Sequence, residues 1–240
     1  MRSAYISWAL ASIPEREMAY QISIWLLPVL IAVTFHEAAH GFVAHLLGDD
    51  TAWRLGRVSF NPLRHIDPVG TVLLPAMLLL LRSPFLFGYA KPVPVNFRAL
   101  RNPRFGSVAV AAAGPAMNFL LATLAALALN FVPYVPAVAA QWVLLNLENA
   151  ILINILLAVF NLFPLPPLDG GRIAVGLLPK ALAMPLSRLE PYGIPILLGM
   201  LILLPLLGAQ LGLDFSFVAQ ALRASSQFLI ENLLRLTGNA

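Results

Sequence analysis

The segment His36-Glu37-Ala38-Ala39-His40 sets two imidazoles four positions apart, with a carboxylate between them. On an α-helix, positions i and i+4 share a face, so both rings can address one metal ion. Glu37 directly follows His36 and can reach a water on that metal, which is where a metal hydrolase keeps its general base. A catalytic zinc site needs a third protein ligand and one open position. His45 stands nine residues after His36, about 180° round the helix, and faces away. His65 lies in the loop segment Asn61 to Pro68 and reads as a loop hydrogen-bonder. Asp169 is the better third ligand. It lies in Asn161-Leu162-Phe163-Pro164-Leu165-Pro166-Pro167-Leu168-Asp169-Gly170-Gly171, whose prolines and glycines oppose continuous helix. Asn118 and Asn161 are candidate donors to a substrate carbonyl or an oxyanion, with a helix–helix hydrogen bond as the alternative role. The chain has no cysteine, which excludes thiolate ligands, disulfides and a Cys nucleophile.

These polar residues sit in a very apolar chain. Of its 240 residues, 60% are apolar and 11% charged, and the mean hydropathy is +0.83. Soluble domains run at about 45–50% apolar and about 25% charged. So few charges could not cover a soluble globule, which excludes a cytosolic enzyme and a disordered chain. The net charge of +4 and pI of 9.9 invite a nucleic-acid reading. The lysines and arginines lie between apolar runs, where they set membrane topology, so no nucleic-acid partner is expected.

Four runs are long enough to cross a bilayer: Ile22–Gly48, Gly106–Val132, Gln141–Pro164 and Gly193–Leu213. The expected fold is an all-α polytopic membrane protein of four to six transmembrane helices. In lipid, a glutamate such as Glu37 is unfavourable unless it has a partner or a task. Gly70–Leu81 is too short to cross alone and reads as re-entrant or interfacial. Residues 90–96 alternate proline with apolar side chains, which suits an edge strand. Its residues Lys91, Val93 and Val95 would then bind an extended substrate by strand addition; a plain loop is the alternative. After a membrane domain over 1–213, residues 214–240 read as an amphipathic or final membrane helix, with Asp214 as its N-cap.

Three motifs occur in a fixed order over roughly residues 25–175: the His36–His40 segment, Ala113-Gly114-Pro115-Ala116-Met117-Asn118, and Asn161 to Gly171. Together they resemble the site-2 protease family of intramembrane zinc metalloproteases. The segments Asn61–Pro68 and Tyr89–Asn96 resemble its compact bacterial or archaeal branch, for which no PDZ or CBS domain is expected. The resemblance implies one Zn2+ per chain on His36, His40 and Asp169, with Glu37 as general base. It also implies single-span or other transmembrane protein substrates; oligomeric state is left open. Two other readings compete: a membrane metal-binding or transport protein, and an inactive membrane scaffold. A base beside a complete ligand set disfavours both.

One metal site requires its motifs at one depth. His36 and His40 sit late in the first run, Asn118 early in the second, and Asp169 just past the third. The chain must therefore leave the first span and enter the second from the same side. That side then carries residues 49–105 and 165–192, which hold most of the basic residues, and so is cytoplasmic in a prokaryotic cell membrane. An N-terminal tag in sealed cells is expected to react with an impermeant external reagent. Reaction only after the cells are opened would reverse this topology.

Overall fold

The computed structural model describes residues 15–73, 77 and 90–239. Helices α1 (Glu15–Leu46), α2 (Pro103–Leu129) and α3 (Ala137–Asn161) form the bundle, and the short α4 (Asp169–Leu177) packs on α2. Then come α5 (Lys180–Ser187), α6 (Gly193–Leu198), a wide helical turn, α7 (Leu204–Leu211) and the terminal α8 (Phe217–Leu236). Four helical stretches are long and apolar enough to cross a membrane: α1, α2, α3 and Lys180–Leu211. Each overlaps a run expected from sequence. Most of Gly70–Leu81 lies outside the described residues; Pro68–Leu73 closes a single wide helical turn.

Local chemistry sets the ends of α2. Asn102 precedes it in extended backbone, and its side-chain oxygen accepts from Phe105 N–H at 3.3 Å. Pro103 takes the first helical position, where its missing N–H leaves no donor unmatched. Inside the bundle the contact surfaces are small. Ala122, Ala125 and Ala126 of α2 are buried against Ile151 and Ile155 of α3. Small residues let helix backbones approach closely where lipid offers no hydrophobic drive for helix association. Leu229, Ile230, Leu233 and Leu234 of α8 pack on this same cluster. Asp214 lies just before α8 rather than capping it. It accepts from Ser216 N–H at 2.9 Å, while Ser216 occupies the cap position.

Among the described residues no strand forms. Residues 90–96 form neither helix nor strand and are tied down individually. Lys91 N–H donates to His65 O at 2.9 Å, and Arg57 Nη2 donates to Lys91 O at 2.8 Å. Val93 N–H donates to Glu37 Oε2 at 2.8 Å, and Asn96 N–H to Asp49 Oδ2 at 2.6 Å. Pro92 and Pro94 have no N–H to offer a ladder. No edge strand forms here: the N–H groups of Lys91 and Val93 serve the chain's own fold, and Val95 packs near Ala44, Leu100 and Val110. Asp49 anchors the far end. Burial pushes its carboxyl up, but the hydroxyl and N–H of Thr51 and the N–H of Asn96 outweigh that and hold it below the usual range. A depressed carboxyl stabilises the fold above its unfolded pKa, and that contribution disappears as pH falls through the folded value.

The alanine seam gives a direct test of the packing. Ala126 is fully buried, so Ala126→Leu overpacks it and is expected to cost about 1–3 kcal/mol. Thermal unfolding in detergent should show a lower midpoint. An unchanged midpoint would mean that α2 and α3 do not meet there.

Candidate metal centre

His36 and His40 project from one face of α1 towards α2. On the way they meet Gly114: a Cβ there would stand 2.5 Å from His36 Cε1 and 2.5 Å from His40 Nε2. The small-residue run 111–116 is thus the surface on which the imidazoles lie. Its proline, Pro115, is buried in the same turn.

The outer nitrogens of both rings are fixed by acceptors. His36 Nδ1 lies 2.6 Å from Asn118 Oδ1, and His40 Nδ1 lies 2.7 Å from the Val110 carbonyl. The Asn118 amide is oriented by its other end: Nδ2 donates to Ala32 O at 3.2 Å and to Asn154 Oδ1 at 2.8 Å. Asn118 Oδ1 is therefore an acceptor, and the His36 proton sits on Nδ1. A carbonyl can only accept, so the His40 proton sits on Nδ1 as well. Both Nε2 atoms consequently turn lone pairs inward, although they stand only 3.0 Å apart.

Asp169 completes the convergence. It is the first residue of α4, at the end of the irregular segment 162–168. That segment folds tightly, and Gly170 and Gly171 abut the backbones of Leu162 and Pro166, where a Cβ would collide. Asp169 Oδ2 lies 3.3 Å from His36 Nε2 and 3.4 Å from His40 Nε2. It is buried and makes no hydrogen bond. The ligand atoms of the three residues all lie within 4.8 Å of one another, and all three residues are buried. With both imidazoles neutral, two lone pairs and an orphaned carboxylate oxygen face one point, an arrangement that suits a metal cation. Two nitrogens and one oxygen suit zinc with an open fourth position.

The structure places the remaining candidates as follows. Glu37 is half-buried beside His36, with Oε2 held by Val93 N–H. Asn118 has no free polar atom and is fully buried, so it orients His36 and is not open to substrate. Asn161 donates to Leu157 O on its own helix. His45 stacks on Trp53 and pairs with Asp50 at 2.7 Å, at the end of α1. His65 Nε2 donates to Ser59 O, 2.8 Å away, as a loop residue does. Sequence reasoning missed the role of Asn154, a second asparagine behind the first. It also missed the Val110 carbonyl, which no side-chain pattern could reveal.

A buried two-His, one-carboxylate site with an adjacent glutamate, built on membrane-spanning helices, defines the class: a polytopic membrane metallohydrolase. The comparisons with known proteins narrow it. The profile of peptidase family M50 matches residues 134–204. YwhC of Bacillus subtilis (strain 168) is 36% identical over 209 residues, covering 81% of this chain and 92% of YwhC. Rip2 of Mycolicibacterium smegmatis is 29% identical over 168 residues, covering 69% of this chain and 61% of Rip2. Rip2 of Mycobacterium tuberculosis (strain H37Rv) is 29% identical over 141 residues, covering 59% and 52%. The names of all three relatives are those of zinc metalloproteases. No solved structure matches the chain. The chain belongs to peptidase family M50, the site-2 protease family, and is a metalloendopeptidase whose metal is zinc.

Two substitutions test the geometry without reference to activity. Gly114→Ala puts a methyl group against both imidazoles and is expected to lower the bound zinc content sharply, with helicity retained. Asn118→Leu removes the partner that orients His36 and is expected to weaken zinc binding about 10–100-fold. Metal analysis after dialysis against a graded chelator reads both. Wild-type zinc affinity in either variant would contradict the arrangement.

Proposed function

We propose that this chain is an intramembrane endopeptidase that hydrolyses peptide bonds within or near transmembrane segments of other membrane proteins. The observation that carries this reading is the burial of a complete hydrolytic set among helices apolar enough to span a bilayer. A peptide bond that reaches this site must itself come from membrane depth or from just outside it.

The roles follow from the contacts. His36, His40 and Asp169 would hold zinc, which when bound supplies a Lewis acid for the scissile carbonyl and makes water a nucleophile near neutral pH. Asn118 and the Val110 carbonyl keep both imidazoles in the Nδ1–H form, so that Nε2 remains a ligand. Glu37 takes the proton of the attacking water and hands it to the leaving amide nitrogen. Val93 N–H occupies Glu37 Oε2, which aims the carboxylate and leaves Oε1 to carry the proton. A helical substrate hides its carbonyls in hydrogen bonds, so it must unwind locally, and helix-weakening residues near the cut favour cleavage. The positive-inside count supports a site near the cytoplasmic face of a prokaryotic cell membrane.

The metal-transport reading fares worse. A transporter has no use for a carboxylate held beside a full ligand set. The test compares wild type with Glu37→Gln in detergent, using single-span substrates that carry glycine or proline in the spanning helix. Glu37→Gln should retain zinc and lose about 10²–10⁴-fold in cleavage rate. Equal cleavage by both proteins would remove Glu37 from the chemistry. Zinc in both proteins with cleavage by neither would favour a scaffold or transporter.

A further inference from the structure

Two side chains meet the same peptide unit, the one between Pro92 and Val93. Its N–H donates to Glu37 Oε2 at 2.8 Å. Its carbonyl accepts from Arg57 Nη2 at 3.4 Å, and the same nitrogen donates to Lys91 O at 2.8 Å. In a trans peptide the carbonyl and the N–H point in opposite directions. Arg57 therefore holds one end of this peptide dipole and Glu37 the other. No ion pair joins the two side chains among the described residues. A glycine lets the peptide come this close to α1. Gly41 stands one turn after Glu37 on the same helix face. A Cβ there would lie 2.8 Å from Val58 Cγ2 and 2.9 Å from Val93 Cγ1. Val58 directly follows Arg57, whose own N–H donates to Ala52 O at 2.9 Å. The arginine and the peptide it grips thus reach α1 at one point.

A simple tie between loop and segment needs no charge. Arg57 is half-buried, and its Nε is buried without a partner. Such a placement of a guanidinium is unfavourable in itself. What a cation adds is strength: charge-assisted hydrogen bonds exceed neutral ones, and linked hydrogen bonds polarise one another. We propose that Arg57 is a positioning residue for the peptidase reaction, acting on Glu37 through the Pro92–Val93 peptide. The guanidinium fixes the peptide, the peptide N–H fixes Oε2, and the carboxylate is held towards the attacking water. A direct ion pair would occupy the carboxylate, whereas the intervening peptide leaves Oε1 open for the proton. The proposal rests on the reading of Glu37 as general base.

The test uses the full chain in detergent and a single-span substrate with glycine or proline in its spanning helix. Arg57→Gln is expected to lower kcat about 10–100-fold, with KM and zinc content unchanged. Nη2 alone makes both bonds, so the ammonium of Arg57→Lys should recover most of the rate. Arg64→Gln is the control. Arg64 ties the same loop to Gly56 O, and its loss should leave kcat as it was. Val93 lies between two prolines, so its amide carries the one exchangeable backbone hydrogen of residues 92–94. Exchange there should quicken in Arg57→Gln and stay slow in Arg64→Gln. Wild-type kcat in Arg57→Gln, a defect confined to KM, or a defect that appears only with loss of zinc would overturn the proposal. So would unaltered exchange at Val93, or an Arg57→Lys protein as slow as Arg57→Gln. The base reading fails separately, by a Glu37→Gln protein that cleaves as fast as wild type. An inactive Glu37→Gln beside a fully active Arg57→Gln rejects the role of Arg57 alone.

Discussion

The structure turns on two protons. His36 gives one to Asn118 and His40 gives one to the Val110 carbonyl. Were either proton on the inner nitrogen, the two rings could hydrogen-bond to each other and the site would close on itself. With both held outside, the inner nitrogens repel each other and Asp169 Oδ2 is left without a donor. A metal cation satisfies all three. The rest of the bundle serves this arrangement. Gly114 makes room for the rings, Asn154 and Ala32 orient Asn118, and the turn at 162–168 delivers Asp169.

In water such a cluster would be screened, and its unsatisfied atoms would find solvent. Among apolar helices neither escape exists, and each buried polar group must be matched by another. This explains why polar residues around the metal centre occur in connected sets. His36, Asn118 and Asn154 form one line across three helices. Glu37, Val93 and Arg57 form another, from α1 to the extended segment beneath it.

Much of this was legible in the residues. The His36–His40 spacing, the broken segment ending in Asp169 and the small-residue run around Gly114 each carry a local signal. Their convergence follows from the requirement of a common depth. The bilayer-length runs set the helices, with ends displaced by about three or four residues in the second and third, seven at the start of the first and thirteen at the start of the fourth. Less legible were contacts that leave no side-chain pattern. The Val110 carbonyl looks like any other in its helix, and Asn154 lies seven residues from Asn161, which drew attention because it opens the proline-rich segment. The extended segment misled in another way. Alternating prolines suit an edge strand, but the N–H groups of Lys91, Val93 and Asn96 go to His65, Glu37 and Asp49 and build no ladder.

The most direct measurement is X-ray absorption at the zinc edge of the purified protein in detergent. The expected first shell contains two imidazole nitrogens and two oxygens, one from Asp169 and one from water, at about 2.0–2.2 Å. Replacing Asn118 should leave the atom types unchanged while disordering one imidazole. A shell without imidazole scattering, or one that keeps both imidazoles after His36→Ala, would contradict the convergence of His36, His40 and Asp169 on a single zinc ion.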